Sequence, residues 1–262
     1  MLVDIHGHIA STGNAAAPAA RLSLYASACK LDFVLVSNVA AAPAPRGANL
    51  DEVDANLASL QACREHARLA PLYWIRPGQL DSHVPAVVGA LRTAPFVGAA
   101  FAPTEGGFDA ADSLLDPYLA ALETIDRPAV FCVSAEPNAA PPKVIEAARR
   151  HPRTKIVLCL CGAAETPRAA ALDAVAHALR QQKADVYLDT SHATSAEIVA
   201  AVRAIGSDRV LFGTDAVRRS DAHVPRHIAV LDELRKSLAA KDFQAVSGGN
   251  AVRLFGLKAP AR

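Results

Sequence analysis

The chain has 262 residues, of which 52% are apolar, so it is long enough to bury a large core. Basic residues (27) and acidic residues (26) nearly balance at a net charge of +1, which argues against a nucleic-acid partner. Because no apolar run reaches the roughly 20 residues of a membrane span, and the N-terminus lacks the pattern of a signal peptide, we expect no membrane association.

Eight short apolar and β-branched runs recur along the chain, and each is predicted to form a strand. Several are apolar almost throughout, which is typical of parallel strands covered on both faces. The predicted strands are Leu2–Ile5, Phe33–Val39, Ala70–Ile75, Phe96–Phe101, Ala129–Val133, Lys155–Leu160, Val186–Leu188 and Arg209–Phe212.

The segments between these runs are predicted to be helices, because apolar residues recur there at helical spacing. They are Ala17–Cys29, Asp51–Ala67, Val84–Arg92, Leu114–Thr124, Pro142–Arg150, Pro167–Gln181, Ser195–Ile205 and Val224–Leu238, with a closing helix in Asp242–Leu257. Eight strand–helix units predict one α/β domain over residues 1–262, a (β/α)8 TIM barrel with eight parallel strands. A doubly wound open sheet is the alternative. It usually has fewer strands and often a glycine-rich first turn, which is absent here.

The run Asp4-Ile5-His6-Gly7-His8 is the first candidate metal site. Alternate side chains of a strand point the same way, so His6 and His8 are expected to project together at the C-terminal end of the first strand. Two converging imidazoles can bind a divalent metal ion. The alternative is a strand end that carries two hydrogen-bonded histidines.

The run Phe212-Gly213-Thr214-Asp215 follows the eighth predicted strand. The last strand of a closed barrel lies beside the first, so Asp215 is expected near His6 and His8. A carboxylate there could hold a metal ion and accept a proton from water, which makes Asp215 both a metal-ligand and a catalytic candidate. The alternative is an N-cap for the following helix.

These motifs resemble those of the amidohydrolase superfamily, most closely its amidohydrolase-related (amidohydrolase 2) branch of TIM-barrel hydrolases and decarboxylases. The resemblance is carried by Asp4–His8, by Arg209–Asp215 and by the ending Gly249–Leu257, and it extends from the first strand to the last helix. It implies a metal-dependent enzyme that acts on a small-molecule substrate. Barrels of this type are often dimers or tetramers, so the resemblance also suggests a homo-oligomer.

The sequence departs from the family pattern at two strands. The family usually has a histidine ligand at the end of the fifth strand, whereas the run from Pro128 to Ser134 contains none. It also has a histidine near the end of the sixth strand, where this chain has Leu160. We therefore expect one divalent ion, with zinc first and manganese or iron as alternatives. Cys132 or Cys161 could replace a missing ligand, although a buried cysteine is more often a small core residue.

Other candidates follow further strands. His192, after the seventh, is a candidate catalytic acid or base, or else a structural residue at the start of the next helix. Arg76 and Glu105, after the third and fourth strands, are candidates for substrate binding. Glu105 could also be a metal ligand or a base, with a solvated loop acid as the alternative. Arg218 or Arg219 could hold an anionic group. The remaining histidines, His83 among them, are predicted to lie at the surface.

Three functions remain open on this reasoning. The first is hydrolysis of an ester, lactone or amide by a metal-activated water, with Asp215 as the proton acceptor. The second is decarboxylation of an aromatic or unsaturated acid, which needs a carboxylate-binding group such as Arg76. The third is a metal-free, non-catalytic binding barrel, since both expected histidines are missing. The five cysteines are an odd number without a secretion signal, so we expect free thiols and a cytoplasmic location.

Overall fold

The computed structural model describes residues 1–9, 16–42, 50–78, 81–160, 167–216 and 224–258. Eight strands form one parallel sheet in the order β1-β2-β3-β4-β5-β6-β7-β8. Their bounds are β1 Val3–Ile9, β2 Phe33–Asn38, β3 Leu69–Trp74, β4 Gly98–Phe101, β5 Ala129–Val133, β6 Lys155–Leu160, β7 Asp185–Asp189 and β8 Val210–Leu211. Every predicted strand overlaps an observed one, and β1 extends beyond its prediction to include both candidate histidines.

The chain segment of β8 closes the barrel against β1. The backbone N–H of Ile5 donates to the carbonyl of Phe212 at 3.0 Å, and that of Ala216 donates to the carbonyl of His6 at 3.0 Å. Strands adjacent in sequence are also adjacent in the sheet, so the order never reverses as it does in a doubly wound fold. The predicted (β/α)8 TIM barrel is therefore confirmed.

Helices alternate with the strands, as the sequence predicts. They are α1 Ala16–Ala28, α2 Glu52–Glu65, α3 His83–Thr93, α4 Pro103–Gly106, α5 Asp116–Thr124, α6 Pro141–Arg150, α7 Pro167–Arg180, α8 Ser195–Ile205, α9 Val224–Ser237, α10 Ala240–Gln244 and α11 Asn250–Phe255. The predicted closing helix is divided by a π-type turn at Ala245–Gly249. Among the described residues, no helix combines the length and apolar character needed to cross a lipid bilayer.

Strand side chains alternate between the barrel interior and the helix layer. The interior cluster includes Val3, Ile5, Leu35, Leu72, Trp74, Val130, Cys132, Val157, Cys159, Tyr187 and Leu211. The layer under the helices includes Phe101, Phe131, Val133, Leu158, Leu160, Leu188 and Val210. Both faces of most strands are buried, which explains the nearly continuous apolar runs in the sequence.

A β-bulge in β1 decides which of its side chains enter the barrel. Asp4 pairs with Val34 and Gly7 with Val36, so two residues of β1 face one residue of β2. Without the bulge, His6 and His8 would point away from the interior side chain of Ile5. The extra residue resets the alternation, so both histidines enter the barrel mouth while Asp4 stays outside, against α1.

Candidate active site

His6, His8 and Asp215 meet at the C-terminal mouth of the barrel. Nε2 of His6 lies 3.0 Å from Nε2 of His8, and Oδ1 of Asp215 lies 3.2 Å from Nε2 of His8 and 3.8 Å from Nε2 of His6. All three residues are buried. Ligand atoms about 2.0–2.2 Å from a tetrahedral ion lie roughly 3.3–3.6 Å from one another, so these donors fit one divalent ion with small movements. The structure brings together the three side chains that the sequence analysis singles out, and their role as metal ligands stays a prediction.

Hydrogen bonds at the Nδ1 atoms orient both imidazole rings. Nδ1 of His6 lies 3.1 Å from Oδ2 of Asp189 and 2.8 Å from Oγ of Ser191, and Nδ1 of His8 lies 3.1 Å from Oγ of Ser37. When a metal ion is bound and Nδ1 of each neutral ring donates a hydrogen bond, Nε2 of each ring would present its lone pair to the shared point, as in many metal sites. Sequence reasoning assigned no role to Asp189, Ser191 or Ser37. The available signal was their position at the ends of β7 and β2.

Asp189 is itself held rigidly, and Gly213 makes room for it. Oδ1 of Asp189 accepts hydrogen bonds from the backbone N–H groups of Leu160, at 2.9 Å, and Ser191, at 3.2 Å. A Cβ atom on Gly213 would lie 2.4 Å from Oδ2 of Asp189 and 3.2 Å from Cβ of His6. The glycine in the Phe212–Asp215 motif is therefore required by the close approach of this carboxylate to the histidine.

His192 contacts the other oxygen of Asp215. Its Nε2 lies 3.0 Å from Oδ2 of Asp215, and its side chain is 13% exposed. Both residues have left-handed backbone conformations, with φ of 62° and 58°, which are uncommon without glycine and often mark functional sites. The following helix α8 is capped by Thr194 rather than by His192. Asp215 therefore joins the histidine pair on one side to a partly accessible imidazole on the other.

The electrostatics of the site couple its carboxylates to its histidines. Burial opposes protonation of His6, but hydrogen bonds to Asp189 and Cys132 and the charge of Asp215 outweigh burial, so the pKa of His6 is raised well above its usual value. Burial alone would raise the pKa of Asp215. Hydrogen bonds from His192 and His8 and the nearby imidazole charges instead hold it far below its usual range. An ionised carboxylate at this point attracts a cation.

Asp4 fastens β1 to the segment that carries Asp215. Oδ1 of Asp4 accepts from the backbone N–H groups of His6 at 3.0 Å and Thr214 at 3.1 Å, and Oδ2 accepts from the hydroxyls of Tyr25 at 2.8 Å and Thr214 at 2.5 Å. Burial raises the pKa of Asp4 to about 6, although these hydrogen bonds act in the opposite direction. The network fixes the neighbours of His6 and Asp215 against each other.

Two cysteines approach the histidines from β5 and β6. Sγ of Cys132 and one ring nitrogen each of His6 and His8 lie within 4.8 Å of one another, and Sγ of Cys159 is equally close to His6 and Asp189. Leu160, which stands where the family has a histidine, packs in the layer under the helices instead of the interior. Cys161 lies outside the described residues.

The predicted substrate-binding residues lie around the same mouth. Arg76 follows β3 and Glu105 lies on α4 after β4, and both are half-buried. The described residues that group as potential metal ligands do not include Glu105. Arg218 and Arg219 lie outside the described residues. His83, which the sequence predicts to lie at the surface, is half-buried, with Nε2 at 2.9 Å from Oε1 of Glu52.

Trp74, the last residue of β3, was missed by the sequence reasoning. It is 1% exposed and packs in the interior cluster with Cys132. Its indole N–H has no hydrogen-bond acceptor among the described residues. Buried donors are nearly always paired, so this one is a candidate hydrogen-bond donor to a ligand atom.

Comparison with known structures agrees with the barrel geometry. The chain resembles 5-carboxyvanillate decarboxylase from Novosphingobium aromaticivorans, solved with manganese, with a TM-score of 0.70 at 15% identity over 90% of this chain and 80% of that one. It resembles 2,6-dihydroxybenzoate decarboxylase from Rhizobium with a TM-score of 0.72 at 15% identity, over 97% and 98% of the two chains. For an amidohydrolase from Burkholderia multivorans the TM-score is 0.68 at 17% identity, over 98% and 100%. At these identities the likeness shows the fold.

The sequence itself carries the family assignment. No curated protein matches the chain as a relative. The sequence model described as Amidohydrolase matches residues 3–257, which is nearly the whole chain and includes the His6–His8 pair and Asp215. The chain belongs to the amidohydrolase family, whose members are enzymes that bind a divalent metal ion.

Proposed function

We propose that this protein is a divalent-metal-dependent hydrolase of a small carbonyl substrate such as an ester, lactone or amide. The observation that carries the proposal is the convergence of His6, His8 and Asp215, whose donor atoms lie 3.0–3.8 Å apart at the barrel mouth. A divalent ion held by these residues would supply Lewis acidity for polarising a substrate carbonyl and for lowering the pKa of a water molecule. Zinc suits this donor set, and the manganese in the similar Novosphingobium decarboxylase makes that ion the second to test.

The surrounding residues take complementary roles. Asp215 is an ionised carboxylate and accepts a proton from the attacking water. His192 is partly exposed and lies 3.0 Å from Oδ2 of Asp215. It takes the proton from Asp215 and passes it to solvent, and it later donates a proton to the leaving group. The indole N–H of Trp74 donates to a substrate oxygen. Arg76 and Glu105, at the rim, bind charged or polar groups of the substrate.

The experiment is a substrate screen with metal analysis. The purified protein, incubated with zinc or manganese, is assayed on esters, lactones and amides, beside His6→Ala/His8→Ala and a control His177→Ala, which changes an exposed histidine on α7. We expect about one metal ion per chain and hydrolysis in the wild type and the control, and loss of both in the double variant. A wild type that takes up neither ion, or hydrolysis that survives in the double variant, would overturn the proposal.

Decarboxylation of an aromatic or unsaturated acid is the second candidate. It is favoured by the similarity to two decarboxylases over nearly the whole chain, and by Arg76 at the rim as a partner for a carboxylate. In this reaction His192 would donate the proton that replaces the departing carboxyl group. Carbon dioxide release, with deuterium from D2O at the former carboxyl carbon, identifies decarboxylation, whereas hydrolysis releases an acid and no carbon dioxide.

We also propose a cytoplasmic location and a homo-oligomeric state. Among the described residues, Cys29, Cys63, Cys132 and Cys159 form no disulfide, which supports a cytoplasmic location. Exposed apolar side chains on α1 and α2, such as Leu24 and Leu57, support a homo-oligomer. Light scattering on the purified protein measures its oligomeric state.

We propose a small molecule, rather than nucleic acid or a membrane, as the binding partner.

A further inference from the structure

We infer that Cys132 is a metal ligand, whose thiolate joins His6, His8 and Asp215 and makes the site prefer zinc to manganese. The inference rests on the proposed metal site and adds to that site a sulfur ligand at the end of β5. That strand lacks the histidine expected from the family resemblance, and Cys132 is its last interior residue.

The geometry of Cys132 suits this role. Sγ of Cys132 lies within 4.8 Å of one ring nitrogen of His6 and one of His8, and Cys132 is 6% exposed. With zinc–sulfur bonds of about 2.3 Å and zinc–nitrogen bonds of about 2.0–2.1 Å, sulfur and nitrogen ligands of one ion lie roughly 3.6 Å apart. A movement of at most about 1.2 Å therefore brings Sγ to the separation expected for a shared ion, and rotation of one side chain can supply it.

The second buried cysteine does not share this arrangement. Cys159 groups with His6 and Asp189 but not with His8. Asp189 contacts Nδ1 of His6, the nitrogen that faces away from the shared point, so Cys159 lies on the orienting side of the ring. Cys159 therefore serves as a matched control.

A sulfur ligand changes the metal preference. Thiolates are soft donors that favour zinc and cobalt, whereas manganese prefers carboxylate and other oxygen ligands. Four protein donors would be compatible with catalysis, because zinc sites sometimes expand to five ligands in the transition state. Replacing Cys132 by serine keeps the size of the side chain but removes the soft donor.

Cobalt substitution provides the direct test. Wild-type protein loaded with cobalt(II) is expected to show a near-ultraviolet thiolate-to-cobalt charge-transfer band, and Cys159→Ser is expected to keep it. Cys132→Ser should lose the band. Cys132→His should also lose it but retain cobalt with its visible bands, which shows that the site still folds. Cobalt bound to the wild type without the band, or a band that persists in Cys132→Ser, would overturn the inference.

Competition between zinc and manganese is the second readout. Loss of an orienting partner costs about 10–100-fold in metal affinity, and loss of a direct ligand should cost at least as much. Cys132→Ser should therefore weaken zinc binding at least tenfold, with a much smaller effect on manganese. An unchanged zinc-to-manganese ratio contradicts the inference. If the charge-transfer band is present but no carbonyl substrate is hydrolysed, the proposed function fails and the cysteine ligand stands. If no ion binds at all, both fail.

Discussion

Asp189 determines which nitrogen of His6 faces the candidate metal site. Its Oδ2 lies 3.1 Å from Nδ1 of His6, and Nε2 of the same ring then lies 3.0 Å from Nε2 of His8. The two residues are separated by 183 positions in the sequence. Their contact connects β7 to β1. The buried carboxylate of Asp189, which is not itself among the proposed metal ligands, therefore controls the orientation of the His6 ring.

Replacing Asp189 by asparagine should weaken metal binding by about 10–100-fold, because an amide N–H₂ opposite Nδ1 disfavours the required tautomer of His6. Asparagine keeps an oxygen for the backbone N–H groups of Leu160 and Ser191, so the fold should survive. Chelator competition measures the affinity. Asp185→Asn, at the opposite end of β7, should bind metal like the wild type, and an equal loss in both variants would contradict the orienting role.

Alanine at Gly213 should lower the free energy of unfolding by about 1–3 kcal/mol and reduce metal content, because its Cβ would lie 2.4 Å from Oδ2 of Asp189. Gly89, in the exposed face of α3, is the control, since a Cβ there meets no atom within 4 Å. Gly89→Ala should be neutral or stabilising by up to ~1 kcal/mol. Urea unfolding measures both, and a harmless Gly213→Ala would show that this contact is not tight.

His192→Asn should reduce kcat by about 10²–10⁴-fold on the substrate found by the screen, because it removes the proton relay next to Asp215. Asparagine tolerates the left-handed backbone at this position, with φ of 62°, so the loop should keep its shape. Metal content, measured by elemental analysis, should not change. A parallel loss of metal and activity would instead make His192 part of the metal site.

Phenylalanine at Trp74 should lower kcat/KM by about two- to tenfold, since one hydrogen bond to a substrate oxygen contributes about 0.5–1.5 kcal/mol. The indole N–H has no acceptor among the described residues, so its removal breaks no hydrogen bond of the free protein. Steady-state kinetics give the effect on the substrate, and thermal unfolding reports any cost of the smaller ring. Unchanged kcat/KM would remove Trp74 from the substrate site.

Asp116→Asn should destabilise the protein at pH 7 by up to ~1 kcal/mol, and progressively less as the pH falls towards 3. Burial raises the pKa of Asp116, but His151 and Arg150, whose Nε2 and Nε lie 3.0 Å and 2.9 Å from its Oδ1, outweigh burial and lower it. Because the folded pKa is below the unfolded one, the stabilisation is complete above the unfolded pKa and disappears as the pH falls through the folded pKa.

Urea unfolding at several pH values checks this prediction. Asp173→Asn, which changes an exposed acid on α7, is the control and should show no such trend. A destabilisation of Asp116→Asn that stays constant between pH 7 and pH 3 would rule out the ion pairs as its cause.

The sequence by itself determined the barrel and the centre of the candidate site. Strands buried on both faces must be apolar almost throughout, so the eight runs could be counted directly. Closure of the barrel places the first and last strands side by side, and this topological fact brings Asp215 to His6 and His8.

Only the tertiary structure decided the direction of individual side chains. The bulge in β1 resets the alternation after Asp4, and no local pattern announces it. Leu160 stands at a family ligand position but packs under the helices, while Cys132 on the neighbouring strand faces the histidines. Hydrogen-bond partners such as Asp189 come from distant parts of the chain, and their selection depends on distances of a few ångströms that residue spacing does not encode.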